Sequence, residues 1–234
     1  MTQSDLRALP VPDSRIFLRP LANPIPLGFL ALVTATTVYA AMQLGWISPA
    51  QGRLAAEVVL VLCVPLQLVA MVLGFLCRDP VAGTGMGMLA AGWGTIALGT
   101  LTTGLPFPAP VLAVVLFTVA ACLLVPCVAG WGKPVAALVM LVSAARFVVT
   151  AVAGLASSSG WSSALTWAHV AGWVGIALAV IALYAALAFE LESIAKRAVL
   201  PVPRLGPARI DDEHVGLSQQ HAALVREAGV RRQL

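Results

Sequence analysis

Hydrophobic and polar positions alternate on a scale far longer than a helical turn or a pleat. Runs of twenty or so apolar residues are separated by short polar or proline-containing breaks. Six runs are long enough to cross a hydrocarbon core of about 30 Å at 1.5 Å per residue. They are Leu27–Trp46, Leu54–Leu76, Val81–Thr103, Pro110–Trp131, Val135–Leu155 and Thr166–Phe189. The pattern therefore predicts an all-α polytopic membrane protein with six transmembrane helices. Composition agrees: 60% of residues are hydrophobic and 10% charged, with a mean hydropathy of +0.94, more apolar surface than a water-soluble domain can bury.

The chain divides into a polar N-terminal segment (1–22), a membrane domain (23–195) and a polar C-terminal tail (196–234). The first segment carries Asp5, Arg7, Asp13, Arg15 and Arg19 without an apolar stretch, so it does not read as a cleavable signal peptide. In the tail, Pro201, Pro203 and Pro207 predict an extended spacer, followed by either a disordered end or one short helix capped by Asp211, Asp212 and Glu213. Twelve of the fourteen Lys and Arg residues fall on the side shared by both ends, including Arg78 and Lys133, leaving Arg53 opposite and Arg146 inside a span. Basic residues favour the cytoplasmic side, so both termini are expected there. No convincing internal repeat is visible.

Candidate chemistry is sparse. Cys63, Cys77, Cys122 and Cys127 form no C-x-x-C pair and have no histidine beside them, so they read as small apolar filler rather than a metal site. Gly83-Thr84-Gly85-Met86-Gly87 lacks the strand and helix context of a nucleotide loop. Gly83, Gly87, Ala90 and Gly94 instead make a small-residue strip that lets helices approach closely, which suits an oligomer. Span centres hold no Asp or Glu, and no catalytic serine–histidine–acid set or nucleotide-binding unit is present. An enzyme, a nucleic-acid-binding protein and a nucleotide-powered pump are all disfavoured, and no cofactor is called for.

Arg146 stands out because it lies about 18 Å from the start of the fifth span, too deep to reach the nearer interface. A charge there costs at least ~2.5 kcal/mol on insertion scales and has to face protein, water or an anion. It reads equally as a carboxylate contact or as a structural partner of Glu57, which could also pair with Arg53 one turn before it. Gln67 suits helix packing or solute contact. His169 reads as an interfacial side chain rather than a proton relay, and Tyr184, Trp46, Trp131, Trp161 and Trp167 as belt residues. Pro65 and Pro126 should bend their helices. Pro24 and Pro26 imply a broken approach to the first span, with Asn23 capping a helix that begins near Leu27.

Two stretches resemble one family, the acetate uptake transporters, which include succinate–acetate permeases. Asn23-Pro24-Ile25-Pro26-Leu27-Gly28 is similar to that family's N-P-A-P-L-G signature. The second stretch comprises His169-Val170-Ala171-Gly172-Trp173-Val174-Gly175, then Tyr184, then Arg197-Ala198-Val199-Leu200-Pro201-Val202, and it resembles the family's last span and exit. Gln67, Ala70 and Trp93 fall on family positions as well. The resemblance implies a six-helix bundle that assembles as a hexamer, with one path for small carboxylates per protomer. It also implies a narrow apolar constriction at positions matching Leu32, Leu89 and Ala144, where relatives usually carry aromatics at the first two. The family's second-span glutamate is replaced by Gly74, its following stretch by Arg78-Asp79-Pro80-Val81-Ala82, and Arg146 takes an ordinarily apolar position. The expected function is passage of a small monocarboxylate, acetate-like or succinate, across the cytoplasmic membrane, as a channel-like facilitator or coupled to protons. Asn23, Leu32, Gln67, Leu89, Ala144 and Arg146 would lie along the path. The alternatives are a non-transporting assembly or regulatory protein of the same fold, and a carrier of a neutral solute or ammonium.

Overall fold

The computed structural model describes residues 21–103, 109–195 and 199–203. Six membrane-length helical units account for nearly all of them, and the protein is a multi-pass membrane protein. Helix α1 is Ile25–Gln43. The second unit comprises a 3₁₀ turn (Pro49–Gln51), α2 (Gly52–Val58), a π-helical stretch (Val59–Cys63) and α3 (Val64–Leu76). Then follow α4 (Pro80–Thr103), α5 (Pro110–Ala129), α6 (Pro134–Ser158) and α7 (Ala164–Ala195). Each span falls where the apolar runs predict it, but α7 overshoots. Its 32 residues amount to about 48 Å, longer than the ~30 Å core requires.

The prolines behave differently from the sequence expectation at three points. Pro24 and Pro26 do not break the approach to the first span. Pro24 is the N-cap residue and Pro26 lies within the first turn, where amide hydrogens have no intrahelical acceptor and proline costs nothing. Asn23 caps the start as expected, its Oδ1 accepting the Ile25 N–H at 3.1 Å, but the helix begins two residues earlier than read. At Pro65 the missing donor is absorbed by the π-helical stretch just before it, where the hydrogen-bond register widens before α3 resumes. The fourth span stays α-helical through Pro126, one turn from its end.

The helices close into a ring in which each packs on two neighbours, in the order α1, α3, α4, α5, α6, α7 and back to α1. The first, third and fifth spans are the inner ones, 56–61% buried over their central stretches, against 28–44% for the second, fourth and sixth. This alternation exposes an internal repeat that residue identity concealed. Pro26, Pro80 and Pro134 open the three inner helices at equal intervals of 54 residues, and the same interval relates Tyr39, Trp93 and Phe147. The fold is thus three inner–outer helical hairpins around a common axis. The repeat is faint in the sequence because lipid asks only for apolar character at most positions, so side chains drift while helix length and the opening proline persist.

Close approach is set by small residues. A Cβ on Gly74 would lie 2.7 Å from the backbone nitrogen of Gly83, so α3 and α4 cross at this point almost backbone to backbone. Phe75 then covers Gly83, and Met71 covers Gly87, so this half of the small-residue strip serves packing inside the chain. Ala90 is buried and Gly94 faces open space. The second span ends in a Schellman motif: Asp79 N–H donates to Gly74 C=O (2.9 Å) and Arg78 N–H to Phe75 C=O (3.0 Å), with Arg78 in the left-handed region at φ 58°. Of the tail, residues 199–203 are extended and turn back onto α7, where Tyr184 Oη donates to Pro201 C=O at 2.9 Å and Val202 is buried. The remainder of the tail and the segment 1–20 lie outside the described residues.

The crossing gives a direct test. Gly74→Ala forces two backbones apart and should cost about 1–3 kcal/mol, the range for overpacking, read as a lower Tm of the detergent-purified protein. Gly94→Ala meets nothing within 4 Å in the protomer and should leave that Tm unchanged.

Candidate functional site

Three inner helices place their buried side chains around the ring axis in layers. The first layer is a cavity of about 260 Å³ at the end of the bundle that carries Lys133, walled by α1, α4, α5 and α6. Phe29, Met86 and Met140 form its inner part, and Asp79 and Lys133 stand among its lining residues, joined Nζ to Oδ2 at 2.9 Å. Asp79 has a second task, since its Oδ1 accepts the Ala82 N–H at 3.0 Å and caps the start of α4.

Beyond the cavity the axis closes. Leu32 and Leu89 are fully buried and Ala144 is 5% exposed. Leu32 and Leu89 each follow a cavity residue, Phe29 and Met86, by three positions, and Ala144 follows Met140 by four, so each lies about one turn further along its own helix than a cavity residue. The hairpin repeat makes Met86 and Met140 the counterparts of Leu32, so the three predicted constriction residues spread over roughly one turn rather than forming a single ring. The ring that the repeat does form is aromatic. Tyr39 packs on Trp93 with centroids 5.9 Å apart, and Trp93 on Phe147 edge to face at 5.6 Å. Tyr39 Oη also donates to Thr100 Oγ1 at 3.1 Å.

Polar atoms without protein partners lie between the level of Leu89, whose repeat counterpart is Ser143, and that of the aromatic layer. Among the described residues these include both amide atoms of Gln67, Trp93 Nε1, Ser143 Oγ and two guanidinium nitrogens of Arg146, all buried. Arg146 is fully buried, with Nη1 donating to Thr150 Oγ1 at 2.9 Å while Nε and Nη2 have no acceptor. Thr150 passes its own proton back to Arg146 C=O at 2.8 Å, so its Oγ1 is fixed in place. Room for the guanidinium comes from Gly175 on α7, where a Cβ would sit 2.9 Å from Arg146 Nε and 3.0 Å from Ala40 Cβ. Thr36 Oγ1 donates to the Gly175 carbonyl at 3.3 Å, tying α1 to α7 at this point. Gln67 occupies the repeat position equivalent to Gly175 and so shares Arg146's depth in another hairpin.

The structure separates Arg146 from Glu57. Glu57 is exposed and meets Arg53 Nε at 3.4 Å, one turn back on its own helix, so the structural pairing of Arg146 with Glu57 is not formed. His169 likewise lies on the exposed face of α7. Trp46 packs edge to face on Trp173 at 6.2 Å, and Trp131 and Trp161 are exposed near the ends of the spans. Asn23 acts as a backbone cap three residues before Pro26, at the end of the bundle that also carries Lys133. Tyr39, Phe147, Ser143, Thr150, Asp79 and Lys133 were not singled out from the sequence. The one signal for the aromatic ring was the recurrence of an aromatic every 54 residues.

This closed ring of six membrane-length helices, with buried apolar side chains and uncompensated polar atoms inside it, is an all-helical polytopic membrane fold. A solved structure has a similar fold. The chain superposes on the bacterial acetate channel SatP with a TM-score of 0.64 at 21% identity, over 78% of this chain and 99% of that one. The two share a fold. No protein-family profile and no curated protein sequence matches the chain.

The seam around Arg146 can be probed from its small neighbour. Gly175→Val should displace the guanidinium and lower the Tm measurably, because the added side chain meets α1 and α6 at once. Thr36→Val removes one hydrogen bond across the same seam and should cost only about 0.6 kcal/mol, the average for such bonds in membranes. Equal losses from the two variants would show that Gly175 is not spacing the guanidinium.

Proposed function

We propose that the protein conducts small monocarboxylates across the cytoplasmic membrane as a channel-like facilitator, with Arg146 drawing the anion past the apolar neck. The observation that carries this reading is the state of Arg146. A guanidinium with two nitrogens unmatched and no exposed surface cannot remain dry at such depth, since desolvating an uncompensated charge costs several kcal/mol. Water or an anion has to meet it, and the unmatched Trp93 Nε1 and Ser143 Oγ at nearby depth give the same species further donors. A preformed donor set behind an apolar neck favours anions over cations. The shared fold with an acetate channel supports the same cargo class.

Facilitation is preferred to proton coupling on geometric grounds. Glu57 and His169, the groups nearest to serving as proton carriers, both lie on the outer surface of the protomer. Reading the protein as a scaffold without a path requires a fixed counter-charge for Arg146, and the partner it has among the described residues is the neutral Thr150. A neutral-solute or ammonium carrier would gain nothing from a central cation. With both termini cytoplasmic, the Asp79–Lys133 cavity opens inward. A hexamer follows if the apolar outer faces of α3 and α5, with Gly94 beside them, meet copies of the chain.

Uptake of radiolabelled acetate and succinate into proteoliposomes tests the reading. Arg146→Lys keeps the charge but loses the planar fork, and should retain part of the flux. Arg146→Gln should lose tenfold or more at unchanged oligomer yield. Full carboxylate flux through well-folded Arg146→Gln protein would falsify the anion-guiding role.

The neck makes a separate prediction. Leu89→Trp should block flux, and Leu89→Ala should raise leak, because a hydrophobic constriction gates by excluding water. Unaltered transport in Leu89→Trp would remove this residue from the pathway.

A further inference from the structure

The cavity below the neck is built for something longer than acetate. Its volume of about 260 Å³ approaches the ~300 Å³ at which sites for drug-sized ligands begin. Acetate, with four non-hydrogen atoms, would leave most of it to water. The walls are almost wholly apolar, and two of them are methionines, whose unbranched flexible chains adapt to ligands of varied shape. Space for that adaptation exists beside Gly85, where a Cβ would press on Met140 at 2.7 Å. The charged members of the lining are Asp79 and Lys133.

These two charges are unequally held. Asp79 is pinned by its cap on the Ala82 N–H, whichever partner its other oxygen has. Lys133 is a mobile point charge on a four-carbon stem, with its side chain 37% exposed. An incoming carboxylate can therefore take Lys133 from Asp79 without disturbing α4. In that exchange one carboxylate replaces another on the same ammonium, so the head group contributes little net affinity. Discrimination then rests on how much apolar tail is buried.

We propose that the cavity is a binding site for monocarboxylates bearing an unbranched or branched apolar tail of about three to six carbons. The carboxylate sits on Lys133, the tail lies among Phe29, Met86 and Met140, and Asp79 acts as the built-in competitor for Lys133. The proposal deepens the transport reading by naming a cargo class, and it rests on that reading for the carboxylate chemistry. Asp79 sets the threshold: short acids lose the contest for Lys133, and longer ones win it through the tail.

Calorimetric titration of the full-length purified protein with acetate, butanoate and hexanoate tests this, with hexan-1-ol as a control for partition into detergent. Affinity should rise about fourfold per added methylene, the equivalent of about 0.8 kcal/mol each. Asp79→Asn, whose amide oxygen can still cap Ala82, should tighten all three acids several-fold and acetate most noticeably. Lys133→Gln should lose the series. Ala129→Phe, at an exposed wall position, should flatten it by filling the cavity. A flat series, a trend reproduced by hexan-1-ol, or a steep trend surviving Lys133→Gln each overturns the proposal. Acetate flux measured in parallel separates the two readings. A flat series with Arg146-dependent flux removes this site alone. A steep Lys133-dependent series in a protein without flux removes the transport reading and leaves the site.

Discussion

Six helices in lipid gain nothing from hiding apolar side chains from water, so what holds this ring closed is how nearly its backbones can touch. The crossing at Gly74 and Gly83 is the tightest expression of that constraint, and Gly28, Gly92 and Gly175 repeat it by admitting Met86, Phe147 and Arg146 respectively. Each of these contacts fixes the depth of one helix against the next. Because the inner helices are held in register, their side chains arrive in layers: a cavity, buried aliphatic residues with Ser143 among them, and an aromatic layer beside Arg146.

Arg146 is the point at which packing and function meet. A close-packed bundle with no cargo would have little reason to bury a guanidinium with two nitrogens unmatched, since an apolar side chain of similar volume would serve packing better. Thr150 and Gly175 hold the group in one orientation, and neither neutralises it. On the proposed function, that guanidinium is the group that attracts an anion, and the buried Leu32 and Leu89 limit what arrives in hydrated form. The cavity at the Lys133 end supplies a contrasting environment, apolar with one exchangeable ion pair at its rim. On the proposed function, a carboxylate would pass between these two cations, Lys133 and Arg146.

The three hairpins explain why the site is asymmetric although its scaffold is repeated. Tyr39, Trp93 and Phe147 occupy one repeated position, yet Trp93 leaves its Nε1 unmatched whereas Tyr39 is tied to Thr100. The position next to Phe147 is Arg146, and its repeat counterparts are Val38 and Gly92. One hairpin therefore carries the charge, one makes room for the aromatic stack, and one is neutral. Divergence at repeated positions is how a threefold scaffold acquires an asymmetric interior.

The sequence by itself determined the number of spans, their limits to within a few residues and the isolation of Arg146. Lipid imposes length and apolarity on any crossing helix, and a central charge in such a run is conspicuous. The resemblance at Asn23–Gly28 and His169–Gly175 pointed to the fold that the superposition found. Tertiary structure decided what depends on relative depth and on facing: that Glu57 turns outward to Arg53, that Gly83 and Gly87 pack on α3 within the chain, and that prolines at 24 and 26 fit a first turn. It alone brought Asp79 to Lys133 across 54 residues and set both beside Met86 and Met140. Those outcomes were illegible because a run of uniformly apolar residues carries almost no signal of which face meets a neighbour. Only the packing of small residues, helix against helix, assigns it.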